Sequence, residues 1–263
     1  MLIRAHRPAA QPLAAFVEQF WYCEGYDVPH RRERVVPSGR FQLIIDLSES
    51  TALPLVVGMR SRYSVVDTAQ LQRMMGIVFR AGGARSLLDI SADEFYNREV
   101  PFDLVVGRTA AADLRDRLRE AATPSERFHI LEMSLLDALR TRAEKKLALH
   151  PAVRYALREF QDAPHIRSVL DVTHDAGLSR RRFAQLFREQ IGLTPKLYCR
   201  LQRFQEVVQR IGCDGSVDWA DVAAAGGYCD QSHLAHEFRA FSGLSPSAWM
   251  AHQRPFTNHA VMD

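Results

Sequence analysis

The sequence predicts an α+β N-terminal domain, a β-rich sheet or barrel followed by two helices, and then an all-α domain of two helix-turn-helix units joined by a linker helix. Three observations predict it. Short alternating apolar runs give way near Ala111 to apolar residues spaced three and four apart. A charged stretch, "RTRAEKKLALHP", ends at Pro151 and separates two halves. The second half holds one helical unit written twice. The expected boundaries are a mixed first domain at 1–142, a linker at 143–150, an all-α domain at 151–254 and a tail at 255–263.

The first elements read as strands. "RVVPSGRFQLIIDL" (Arg34 to Leu47) joins a Pro-Ser-Gly turn to an alternating, β-rich run. "LPLVVGM" and "MGIVFRAGG" are further short apolar runs that contain or end at glycine. From Ala111, "AADLRDRLREA" and "PSERFHILEMSLLDALRTRAEKKL" carry a helical period, with Pro124 suited to a first turn. Trp21, Trp219 and Trp249 are expected as core anchors, and Arg80, Gly82 and Gly83 as a turn. His129 and Glu132 read as a helix-surface pair.

The repeat sets "LDVTHDAGLSRRRFAQLFREQIGLTP" (Leu170 to Pro195) beside "ADVAAAGGYCDQSHLAHEFRAFSGLSP" (Ala220 to Pro246). Asp171-Val172 matches Asp221-Val222, Phe187-Arg188 matches Phe238-Arg239, and the Gly192 to Pro195 run matches Gly243 to Pro246. The offset grows from 50 to 51 residues across the turn, so the second copy has one extra turn residue. In each copy a short helix ends at a glycine, Gly177 or Gly227, and a second helix starts at a cap, Ser179 or Asp230. Phe183, Leu186, Phe187 and Ile191 form the buried face of the first second helix, and Leu234, Phe238 and Phe241 that of its counterpart. Between the copies, Pro195 to Ile211 reads as one helix, roughly 25 Å long at about 1.5 Å per residue.

With 263 residues, 47% hydrophobic and 25% charged, the chain reads as a soluble globular protein of two domains. It shows neither a membrane span nor a signal-peptide core, so a cytoplasmic location is expected. Cys23, Cys199, Cys213 and Cys229 form no CxxC pair, which argues for reduced structural thiols rather than a metal site, and no cofactor is implied. Arg180, Arg181, Arg182, Arg188, Lys196, Arg200 and Arg203 face one acid, Glu189, over 24 residues. The second copy instead holds Asp218, Asp221, Asp230 and Glu237 against Arg239. Three arginines on a helix's first turn oppose its dipole unless an anion compensates. Arginine can fork onto guanine and glutamine onto adenine in the major groove.

These residues resemble the DNA-binding domain of AraC/XylS transcription regulators over about the last 100 positions. The resemblance implies two recognition helices in successive major grooves, about 34 Å apart. Its base-reading positions fall on Arg181, Ala184 and Gln185, and on Gln231, Ser232, His233 and His236. Arg180, Arg182, Arg188, Lys196 and Arg239 are cast as phosphate contacts. Protonation of His233 and His236 would make binding weaken as pH rises.

"LAAFVEQFWYCEG", "VVPSGRFQLIIDL" and "VFRAGGARSLL" resemble a sensor-type domain fused to such regulators, with Ala81 where a proline is typical. The implied protein is a non-enzymatic, effector-responsive regulator. Its partners would be double-stranded DNA, a small-molecule effector with unassigned binding residues and RNA polymerase. It would be a homodimer through its N-terminal half, without a membrane association. The competing readings are a DNA-targeted enzyme or repair sensor, which calls for an activated cysteine, and a non-responsive DNA-binding dimer.

Overall fold

The computed structural model describes residues 2–48, 52–141, 148–162, 167–211, 217–252 and 257–262. Most of the expected linker and Cys213 lie outside the described residues. Two open antiparallel sheets decide between sheet and barrel. The larger has the order β1-β2-β7-β4-β5-β8, built from β1 (Ile3–Pro8), β2 (Val17–Glu24), β4 (Gln42–Asp46), β5 (Leu55–Val57), β7 (Arg73–Phe79) and β8 (Glu99–Pro101). The smaller has the order β6-β3-β9, from β3 (Arg32–Val35), β6 (Ser64–Asp67) and β9 (His259–Met262).

Period-two alternation puts Phe20 and Tyr22 of β2, Leu43 and Ile45 of β4, and Met75, Ile77 and Phe79 of β7 into the core. Helices α1 (Gly83–Leu88), α2 (Asp103–Val106), α3 (Arg108–Glu120) and α4 (Pro124–Arg140) complete this half. Phe128 of α4 meets Phe20 of β2 with ring centroids 6.3 Å apart. Thr123 and Glu126 form a capping box ahead of Pro124. The sequence pattern carries α4 to Leu147, but the described helix stops at Arg140, and 142–147 lie outside the described residues.

Arg127 is buried although it is charged. Its guanidinium donates to Leu118 O at 3.0 Å and Ala121 O at 2.5 Å, the last carbonyls of α3, and lies over the Tyr22 ring. The "FRAGG" segment is a turn: Gly82 has φ +80°, and Arg80 Nε donates to Ala14 O at 2.7 Å. Glu132 pairs with Arg7 at 3.2 Å, across elements, instead of with His129. Trp249 is fully buried, whereas Trp21 and Trp219 are half-buried.

The helical half contains α5 (Pro151–Asp162), α6 (Val169–Asp175), α7 (Arg180–Ile191), α8 (Pro195–Ile211), α9 (Trp219–Ala225), α10 (Gln231–Ser242) and α11 (Pro246–His252). β9 follows them in sequence but belongs to the N-terminal half in space. The segment read as a tail therefore contains a strand. No helix among the described residues is long and apolar enough to cross a membrane.

Candidate nucleic-acid interface

The two repeats fold alike. α6 and α9 have 7 residues each and α7 and α10 have 12 each, joined by turns of four residues (176–179) and five (226–230). The extra residue lies in the second turn, as the change of offset implies. Gly177 and Gly227 have φ of +67° and +69°, which glycine adopts without a side-chain penalty. Ser179 Oγ accepts the Arg182 N–H at 3.3 Å, and Asp230 Oδ1 accepts the His233 N–H at 2.7 Å.

The linker helix α8 serves both cores. Its Tyr198 lies 5.5 Å from Phe187, which also touches Phe160 and Phe183. Its Phe204 lies 5.0 Å from Phe238 and 4.9 Å from Phe241, and Phe238 continues to Trp249 of α11. Every residue assigned to the buried faces of α7 and α10 is buried.

The solvent faces carry the expected readers. Arg181, Gln185, Gln231, Ser232 and His236 are exposed, while Ala184 and His233 are partly covered. Arg180, Arg182, Arg188, Lys196 and Arg239 are exposed as well. None of these five, nor Arg181, forms an ion pair among the described residues. The Gln185 amide donates to Glu189 Oε1 at 2.7 Å, one turn on, which orients it. His233 is committed to its turn: Nδ1 accepts the Cys229 N–H at 3.4 Å, and the ring meets Tyr228 edge-on.

Charge counting along the chain missed an inward-facing set. Arg200 donates to both carboxylate oxygens of Glu237, at 2.7 and 2.8 Å, a fork from α8 to the buried side of α10. Burial pushes Glu237 up, but the Arg200 hydrogen bonds outweigh it and hold its carboxyl below the usual range. Arg203 donates to Gly227 O at 3.1 Å and covers the Tyr228 ring. Two of the seven basic residues are thus internal braces. Asp218 caps α9 and Asp230 caps α10, so three of the four acids of the second unit serve structure. The sequence signal for the brace is only a heptad-like placement of Arg200 and Arg203 among apolar α8 residues.

The N-terminal half touches α7 and α10 at their C-terminal ends. Gly192 packs against Ala92 O, Met59 and Phe41, and Gly243 against Arg34 and Tyr63. Tyr63 N–H donates to Phe241 O at 2.9 Å, and Gln205 Nε2 donates to Pro37 O at 2.5 Å. Cys23 is buried in β2, and burial pushes its thiol up, away from the thiolate a nucleophile needs.

This geometry defines a tandem helix-turn-helix protein. Residues 172–252 match the family model described as a helix-turn-helix domain, so this part of the chain is a helix-turn-helix domain of the AraC type. Residues 5–101 match a family described as a domain of unknown function, DUF6597. The chain is similar to the solved DNA-binding domain of AdpA, a global transcriptional factor, in complex with a target DNA. The identity is 25% over 39% of this chain and 92% of that one, with a TM-score of 0.35. It is also similar to ToxT from Vibrio cholerae, at 11% identity over 95% of this chain and 97% of that one, with a TM-score of 0.44. A ToxT structure with unsaturated fatty acid bound gives 8% identity over 95% and 94%, with a TM-score of 0.43. No curated protein matches the chain.

Proposed function

We propose that the chain is a sequence-specific transcription regulator that reads two successive major grooves with α7 and α10. The observation that carries this reading is the division of its basic residues. Arg200 and Arg203 are paired inward, while Arg180, Arg181, Arg182, Arg188, Lys196 and Arg239 stand exposed without an acidic partner among the described residues. Three such arginines on the first turn of α7 oppose the helix dipole, and a phosphodiester backbone is the anion that relieves it. Arg181, Ala184 and Gln185 face the bases from the first unit, with Ala184 offering only its methyl. Gln231, Ser232, His233 and His236 face them from the second. Arg180, Arg182, Arg188, Lys196 and Arg239 hold phosphates.

The N-terminal half serves as sensor and dimerisation domain in this reading, and its direct packing on Gly192 and Gly243 supports a route by which a small-molecule effector is felt at the DNA surface. RNA polymerase is the further partner. Selection of bound duplexes from a random pool tests the proposal. The expected result is an asymmetric operator with two half-sites about one helical turn apart. A pool with no enriched sequence, or one enriched half-site, overturns it. Because β9 completes the smaller sheet, ligand-dependent thermal shift is measured on the full chain.

A further inference from the structure

The buried carboxylate of Glu33, on β3, takes no part in DNA reading. It is 0% exposed. Tyr26 Oη donates to Oε1, His30 Nε2 stands 2.6 Å from Oε1, and His259 Nδ1 stands 2.7 Å from Oε2. A carboxylate only accepts, so both imidazoles donate to it. Val66 of β6 and Val261 of β9 stand opposite Glu33 in the ladder. The phenol and the two imidazoles are therefore the titratable groups that bond it among the described residues. Tyr26 and His30 precede β3 directly, but His259 comes from 226 residues further on.

His259 opens β9, whose register on β3 runs from Arg32 opposite Met262 to Val35 opposite His259. Val36 N–H extends the ladder to Asn258 O at 2.9 Å, and Ala260 and Val261 are buried. On its other side β9 packs against α11, whose Trp249 meets Phe238 of the recognition helix α10. A continuous set of contacts thus leads from Glu33 through β9 and α11 to α10. Tyr26 and His30 satisfy Oε1 from the chain just before β3, so the Oε2 of this sealed carboxylate is the oxygen that relies on β9, through His259. Asn258 Oδ1 is buried there without a hydrogen-bond partner, which opposes docking of β9.

We propose that β9 is a releasable clasp, locked by the Glu33–His259 contact, that sets the orientation of the second reading helix relative to the N-terminal domain. Its consequence for DNA rests on the two-groove reading above; the clasp itself does not. Hydrogen exchange on the full chain, without DNA, compares the natural sequence with His259→Ala and Val261→Lys. Exchange in peptides covering β3, α10 and α11 should rise at least about tenfold in both variants while β4 and β7 stay unchanged. On the selected operator, His259→Ala should lose protection over the second half-site and keep it over the first.

Unchanged exchange in α10 and α11 in both variants overturns the clasp. So does a rise in β4 and β7 to match, which would make β9 a part of the fold as a whole. If exchange rises as expected but second-half protection is unaltered, the role in DNA reading is overturned. If the natural chain protects no DNA while exchange still rises, the two-groove reading fails and the clasp stands.

Discussion

In the first helix-turn-helix unit, α7 is seated mainly by rings: Phe187 meets Phe183, Phe160 of α5 and Tyr198 of α8, and one directional contact joins them, His150 N–H donating to Gln190 Oε1 at 2.9 Å. In the second, α10 has its own ring cluster and in addition the Arg200–Glu237 fork and the Arg203 contact to Gly227. Apolar packing tolerates small rotations of a helix because it has no preferred direction, whereas a bidentate fork fixes one. The first unit also presents its arginines unpaired, and the second presents one amide, one hydroxyl and two imidazoles beside Arg239. The difference teaches that, under the proposed reading, the unit rich in unpaired arginines has no ionic fork on its helix, and phosphate contacts tolerate displacement better than base contacts do. The unit proposed to read by short hydrogen bonds is the one whose helix is held by a charged fork from α8.

The largest test of that contrast is acid. Burial pushes Glu33 up, but hydrogen bonds from His259, Tyr26 and His30 outweigh it and hold the carboxyl down at about 2. A depressed carboxylate stabilises the fold above its unfolded value and loses that contribution as pH falls through its folded one. Relative to Glu33→Gln, the natural chain should therefore lose about 3 kcal/mol between pH 4.5 and 2, measured by denaturant unfolding at each pH. A constant difference across that window would show that the ionised carboxylate does not hold β9.

Next in size is the fork. Glu237→Ala leaves Arg200 partly buried without its acid and should cost about 2 kcal/mol, less than a sealed pair because Arg200 keeps 33% of its side chain in water. Footprints should weaken over the second half-site only. Equal weakening over both halves would erase the distinction between the units.

Arg181→Ala and Gln185→Ala should relax base preference in the first half-site by about 1–3 kcal/mol each, read as flattened enrichment at the contacted positions. Arg188→Ala should instead weaken all sequences alike and reduce the salt slope by about one, and Arg239→Ala should do the same from the second unit. A change of preference in the Arg188 variant would reverse its assignment.

The smallest effect concerns the caps. Asp230→Ala should cost about 1 kcal/mol and Ser179→Ala about half that, since the Asp230 bond is shorter, 2.7 against 3.3 Å, and carries charge at a helix start. Thermal melts of the two variants check the order.

Much of the helical half was legible because its signals are local. The caps Ser179 and Asp230, the left-handed Gly177 and Gly227, and the span Pro195–Ile211 each follow from a few neighbouring residues. What was not legible depends on partners far away in the chain. Nothing in "HAVM" announces a strand whose mate is β3, and β1, β6 and β8 lack a strong period of their own. Arg200 and Arg203 count with the basic run in the sequence because charge alone does not reveal the carbonyl and carboxylate that accept from them. In the second unit, acids that looked like a field hostile to DNA are mostly caps and a brace.

The linker helix has a further consequence for the operators this chain can use. Tyr198 sits in the first core and Phe204 in the second, on one unbroken rod. One residue inserted between them would turn one unit about 100° against the other while separating them by only about 1.5 Å. With α8 lying along a duplex, that twist asks for roughly three more base pairs and that rise for less than one. Rotation and translation then fall out of step, and no respacing of the half-sites restores both. Under the two-groove reading proposed above, half-site spacing is then a constant of the protein, and new operators would be reached by changing the residues on α7 and α10 instead of the distance between them.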